Sequence, residues 1–205
     1  MTTFRAYRIN KNDDGIVAGF EQMAVDDLTE GNVVIKVSHS TINYKDALAA
    51  TGAAPILRRY PLNGGIDLAG VVESSEDSEL QPGMPVLVNG CGLSETVDGG
   101  YAEYARVDSS SVVPIPDGMS PVEAMQIGTA GYTAALAIHR MEQNGQRPEN
   151  GPVVVTGATG GVGSVAIDML EGRGYEAVAV TGKADAEAYL KRIGARRVLL
   201  RDDID

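Results

Sequence analysis

The chain has 205 residues, 43% of them hydrophobic, a formal charge of −11 and one cysteine. This acidity, with no Lys/Arg cluster, excludes nucleic acid as a partner class. The lone Cys91 excludes an internal disulfide and a four-cysteine structural zinc. The most apolar long stretch, Val122 to His139, carries Glu123, Gln126 and two glycines, so it reads as a buried helical region rather than a membrane span. Met1 to Asn10 is charged and has no apolar centre, so no secretory leader is expected. A cytoplasmic enzyme or binding protein is the expected class.

In chain order, the first 120 residues read as short strands. Period-two alternation marks Val33, Ile35 and Val37, and similar strands are expected at Ala6–Ile9, Ile16–Phe20, Leu68–Glu73, Val86–Val88, Ala102–Val107 and Val112–Pro114. Turn clusters such as Asn12-Asp13-Asp14-Gly15 and Gln81-Pro82-Gly83 separate them. Such punctuation suggests a small barrel-like β domain. Ser120-Pro121-Val122-Glu123 has the form of a capping box with proline at the first helical position. A second helix is expected from about Thr129 to Glu142. The polar segment Asn144 to Gly151 is read as the domain junction, giving domains at 1–143 and 144–205.

From Val153 the pattern becomes strand, helix, strand, helix, strand: Val153–Thr156, Gly163–Gly172, Ala177–Thr181, Ala184–Ile193 and Arg197–Leu200. This is an α/β arrangement, half of a doubly wound parallel sheet, about 100 residues short of a complete domain. The run Val153-Val154-Val155 predicts a strand buried on both faces. An unpaired edge beside it would expose backbone groups and leave Val153–Val155 and Ala177–Val180 partly uncovered. Such an edge invites association, with a homodimer as one outcome.

Between that strand and its helix stand Gly157, Gly160, Gly161 and Gly163. Glycines at such a turn allow a tight bend and close approach of backbone N–H groups to a pyrophosphate, and the helix N-terminus attracts the phosphates. The second strand ends in Thr181-Gly182-Lys183, with no Asp or Glu between Ala177 and Ala184. An acid there would bind a ribose diol, whereas a cation accepts a 2′-phosphate. The expected cofactor is therefore NADPH.

These segments resemble the medium-chain dehydrogenase/reductase family, in which a GroES-like β-barrel domain precedes a Rossmann domain. The resemblance is carried by Gly99-Gly100-Tyr101-Ala102-Glu103-Tyr104 and Gly128-Thr129-Ala130-Gly131-Tyr132-Thr133-Ala134. Asn43-Tyr44-Lys45-Asp46-Ala47-Leu48, Gly65-Ile66-Asp67-Leu68-Ala69-Gly70 and the stretch from Gly194 to Asp202 are similar to the zinc-free acrylyl-CoA reductase branch. Zinc-dependent relatives carry a cysteine near Asn43 and Gly-His-Glu at Gly65-Ile66-Asp67, so two ligands are replaced. His39 and His139 are far from any ligand spacing.

The resemblance implies cofactor contacts from Tyr44, Thr133, Thr159, Gly160, Gly161, Val162, Thr181, Gly182, Lys183 and Arg201. Relative to the family pattern, Thr replaces Ser at 159 and 181, and Lys replaces Arg at 183. It also implies metal-free hydride transfer to the β-carbon of an enoyl thioester, acryloyl-CoA to propanoyl-CoA, with small-molecule acyl-CoA or enone as substrate. Asn43 (as an amide donor), Tyr44 and Asp46 are the catalytic candidates. Arg58 and Arg59 are weighed for coenzyme A phosphates but read better as a solvated loop pair. Two other readings share these motifs: a quinone or enone reductase, and a shortened chain without turnover.

Overall fold

Thr3–Asn12 (β1) and Gly15–Ala24 (β2) form an antiparallel hairpin in continuous register. Its turn is set by Asn12, whose side chain accepts from the Asp14 N–H at 3.0 Å, and by Gly15 at φ +124°. The computed structural model describes residues 3–204. A short strand, Leu62–Asn63 (β4), adds to the far edge of β1, giving the order β2-β1-β4.

A five-stranded antiparallel sheet carries the main core of this first unit. Its order is β7-β3-β5-β6-β8, from Tyr104–Val107 (β7), Val33–His39 (β3), Asp67–Ser75 (β5), Pro85–Asn89 (β6) and Val113–Pro114 (β8). Val33, Ile35, Leu68, Val72, Val86, Val88, Ala105 and Val107 pack together on one side. Strand β3 closes on β5 so tightly that a Cβ on Gly70 would stand 2.1 Å from the Lys36 carbonyl oxygen. The register slips nearby, between Val37 and His39; glycine belongs at such an irregularity. Leu68 is fully buried in this core. Leu68→Ala is expected to cost about 2–5 kcal/mol in a urea unfolding curve, and a loss below ~1 kcal/mol would mean this layer does not hold the unit together.

A short helix, Tyr44–Thr51 (α1), follows β3. The long helical run Pro121–Gln143 (α2) begins with the expected capping box: the Ser120 N–H donates to Glu123 Oε2 at 2.8 Å, and the Glu123 N–H to Ser120 Oγ at 3.3 Å. It breaks at Gly128, whose φ of 51° and ψ of −163° are not helical, matching the two helices read from the sequence. The chain parts into two compact units at this kink, one up to Thr129 and one from Ala130. The segment Asn144 to Gly151 lies inside the second.

In the second unit Val153–Thr156 (β9), Ala177–Thr181 (β10) and Ala195–Leu200 (β11) form a parallel sheet in the order β11-β10-β9. Gly161–Gly172 (α3) and Glu187–Arg192 (α4) are the connecting helices. The strand bounds of β9 and β10 coincide with those read from the sequence. Their burial does so in part. Strand β10 is central and buried at all five positions, so the expectation that Ala177–Val180 lacks cover is corrected. Strand β9 is the edge, and Val154 on it is 61% exposed, as expected of an uncovered margin at Val153–Val155, so the reading of β9 as buried on both faces is corrected. Among the described residues no helix is long and apolar enough to cross a membrane.

Candidate active site

Two arrangements of side chains, one in each unit, carry chemistry. In the second unit the turn after β9 is built by glycine. Gly157 has φ +59°, and the Gly160 N–H donates to its carbonyl at 2.8 Å. A Cβ on Gly163 would lie 2.5 Å from the Gly157 carbonyl oxygen and 2.9 Å from the Ala158 Cα, so helix and turn touch only because that Cβ is absent. A Cβ on Gly161 would approach the Ala130 Cβ to 3.3 Å, placing the start of the second segment of α2 against the turn. Thr133 is exposed one turn further along that segment.

Gly160 caps α3, and the first-turn N–H groups of Gly161 and Val162 project beyond the helix end, where an anion fits. Gly160, Gly161 and Val162 are exposed, and Thr159 beside them is half-buried.

At the C-terminal ends of the next two strands, Thr181 is buried and its Oγ1 accepts the Lys183 N–H at 3.1 Å. The hydroxyl shapes the turn that presents Lys183. Arg201 comes from the end of β11 and covers Gly182: a Cβ there would sit 3.5 Å from Arg201 Nη2. Lys183 and Arg201 are both exposed. Two cations thus flank a glycine where the sequence placed the 2′-phosphate, and Asp202 Oδ1, 3.3 Å from Arg201 Nε, is the acid beside them.

In the first unit the centre is Asp67, which sequence reasoning used only as part of a family segment. It is fully buried at the start of β5. Its Oδ1 accepts from Asn89 Nδ2 at 2.8 Å and from the Thr129 hydroxyl. Its Oδ2 accepts from the Thr41 hydroxyl, from Asn43 Nδ2 at 3.0 Å and from the Thr129 N–H at 3.1 Å. Burial alone would raise the pKa, but the hydrogen bonds from Thr129, Thr41 and Asn89 together hold it below the ordinary value of 3.8. The signal was available: one acid beside the apolar run Leu68-Ala69 must recruit donors or lose its charge.

The Thr129 N–H directly follows the kink at Gly128, so Asp67 also fixes the backbone there. The kink lets it reach: a Cβ on Gly128 would meet the Thr41 Cγ2 at 2.9 Å.

The catalytic candidates divide. Asn43 is half-buried and bound to Asp67. Tyr44 is 81% exposed at the start of α1. Asp46 is buried, and both oxygens accept backbone N–H groups, from Asn43 at 2.8 Å and Ile66 at 3.0 Å. That geometry makes Asp46 a brace between α1 and the segment before β5. The Tyr101 hydroxyl donates to the Thr41 carbonyl at 2.8 Å. Burial, then the negative charge of Asp46, push that phenol well above the ordinary tyrosine range, so it is a fixed donor. Tyr104 stacks on Phe4 as a packing residue, at 5.5 Å between centroids. Arg58, Arg59, His39, His139 and Cys91 are exposed.

The depressed Asp67 pKa has a signed consequence. Its stabilising contribution is full above the unfolded aspartate value and is lost as pH falls through the lower folded value. In acid titrations below about pH 4, Asp67→Asn is expected to flatten the fall of Tm. A slope equal to that of the parent chain would contradict the depressed value.

Comparison with known proteins places these features in a family. Residues 29–117 match the alcohol dehydrogenase GroES-like domain. Over 203 residues the chain is 48% identical to a Bacillus subtilis protein, YhfP, provisionally named a quinone oxidoreductase, covering 99% of this chain and 62% of the relative. It is 42% identical over 204 residues to the acrylyl-CoA reductase AcuI of Ruegeria pomeroyi, covering 98% of this chain and 62% of that one. The crystal structure of the Salmonella enterica YhdH oxidoreductase in complex with NADP superposes with a TM-score of 0.95 at 44% identity, over 98% of this chain and 62% of that one. The chain spans about 62% of the length of these relatives. With a GroES-like domain, a glycine-turn parallel sheet and identities of this order along nearly its whole length, the chain belongs to the medium-chain dehydrogenase/reductase family.

Proposed function

We propose that this chain binds NADPH and serves the reduction of an activated carbon–carbon double bond. The observation that carries the cofactor assignment is the Arg201 guanidinium over Gly182, with the exposed Lys183 next in the chain. A phosphate dianion fits two cations beside a residue without a Cβ, and a ribose diol would need an acid there instead. The fit extends to the turn: Thr159, Gly160, Gly161 and Val162 offer a helix N-terminus to the pyrophosphate, and Gly157 and Gly163 keep side chains out of the bend. Thr181 holds the Lys183 backbone, and Thr133 completes the proposed cofactor contacts of this unit. Lysine is a point charge rather than a fork, so Arg201 supplies the bidentate geometry.

When bound, the cofactor supplies a hydride for the β-carbon of an enoyl thioester or enone. The chain's own work is binding and orientation. Asp67, ionised at neutral pH, ties the Asn43 loop, the end of β6 and the helix kink into one rigid cluster. Asp46 holds the start of α1, from which Tyr44 projects. Acyl-CoA is the proposed substrate class, and the name of AcuI supports it. The name of YhfP favours a second reading, reduction of quinones. Measuring NADPH oxidation with acryloyl-CoA beside a small quinone separates the two. Turnover of the thioester at higher kcat/KM is the expected result. Turnover of the quinone alone selects the second reading, and oxidation with neither substrate removes both.

A further inference from the structure

Asp67 receives five donors on two oxygens, from Thr41, Asn43, Asn89 and twice from Thr129. An ionised carboxylate is an acceptor only, so every neighbour must present a hydrogen. Asn43 has the one side chain in contact with Oδ2 whose two ends are chemically opposite. Its Nδ2 lies 3.0 Å from Asp67 Oδ2 and 2.7 Å from Thr41 Oγ1. The Thr41 hydroxyl donates its proton to Asp67, so toward Asn43 it is an acceptor. Both Nδ2 hydrogens are therefore engaged. The reversed amide would set its oxygen against a carboxylate, so the orientation follows from chemistry as well as from coordinates. Asn43 Oδ1 has no partner among the described residues, and it is not among the buried unsatisfied atoms, so it opens to solvent.

We propose that Asp67 is a positioning residue that sets the polarity of Asn43, and that Asn43 meets its ligand as a hydrogen-bond acceptor. The ligand group it takes is an N–H or O–H donor, such as a carboxamide or a hydroxyl. It does not suit a thioester oxygen gathering negative charge, so the expectation of Asn43 as an amide donor is replaced. The inference deepens the reductase reading, and its activity arm rests on that reading.

Side-chain amide exchange in the ¹⁵N-labelled chain tests the polarity without turnover. The Asn43 resonances, assigned by their loss in Asn43→Ala, are expected to exchange about tenfold or more slowly than those of the exposed Asn12. Equal rates would overturn the proposal.

Activity with NADPH and acryloyl-CoA tests the role. Asp67→Ala removes the acceptor at the Oδ2 position and frees the Asn43 amide to turn either end outward, and a fall in kcat/KM of about tenfold or more is expected. In Asp67→Asn the Thr129 N–H, which cannot invert, keeps the new amide's oxygen at the Oδ2 position, so this variant should recover most of that loss, which a role for the Asp67 charge alone would not give. Asp67→Ala at parent activity, or Asp67→Asn no better than Asp67→Ala, overturns the role. If Asp67→Ala fails to fold, a loss of about tenfold in Asp67→Asn, or equal amide exchange in the parent, still overturns it. A parent chain without turnover overturns the reductase reading alone, and the amide rates then decide the polarity.

Discussion

Lys183→Glu is expected to weaken NADPH binding by on the order of tenfold to a hundredfold at low salt, and to leave NADH binding little changed. The substitution replaces an attraction to the 2′-phosphate with a repulsion, on an exposed side chain beside Gly182. Because the site is open, salt should shrink the effect, whereas a packing defect would be indifferent to it. Fluorescence titration of NADPH at two ionic strengths checks both parts. Equal dissociation constants for parent and variant would remove Lys183 from the site. Arg201→Ala should act in the same direction, since its guanidinium lies over the same glycine.

The second large effect is expected at Gly163. A methyl group there would meet the Gly157 carbonyl oxygen at 2.5 Å, a backbone atom that cannot rotate away. Gly163→Ala should therefore push α3 off the turn, cost about 1–3 kcal/mol and abolish measurable NADPH binding. Gly172, on the same helix, meets nothing within 4 Å, so Gly172→Ala is the matched control and should be neutral or stabilising by up to about 1 kcal/mol. Thermal unfolding and NADPH titration of the pair provide the check. A Gly163→Ala chain with parent Tm and affinity would show that the close approach of helix and turn does not matter.

The second unit was legible in the sequence because its signals are local. A β-branched run, a glycine turn and a second apolar run fixed β9 and β10 at Val153–Thr156 and Ala177–Thr181. Burial was legible only in part: the uncovered edge at Val153–Val155 was expected, but the same expectation for Ala177–Val180 failed, because cover depends on pairing order and on the helices packed above, not on the run itself. Helix α1 went unread: eight residues with mixed apolar positions give little periodicity. Its one local sign was Asn43 followed by Asp46, the N-cap to N3 spacing, with Gly52 closing the helix in the left-handed conformation. Of the candidate site, Lys183, Gly182 and the turn glycines could be named from spacing. The Asp67 cluster could not, because its donors come from positions 41, 43, 89 and 129, and only the fold brings them together.

Asp98 was missed for the same reason. Its carboxylate, buried at 1% exposure, accepts from Thr29, Asn63 and Arg8, tying the hairpin to distant loops. These long-range braces make the first unit more than a set of short strands.

The central claim is that the turn after β9 and the Lys183–Arg201 pair select the phosphorylated dinucleotide. The most direct measurement is calorimetric titration of the unaltered chain with NADPH and with NADH in the same low-salt buffer. The account predicts NADPH binding about tenfold or more tighter, the 2′-phosphate supplying the difference. Equal affinities, or tighter binding of NADH, would contradict it.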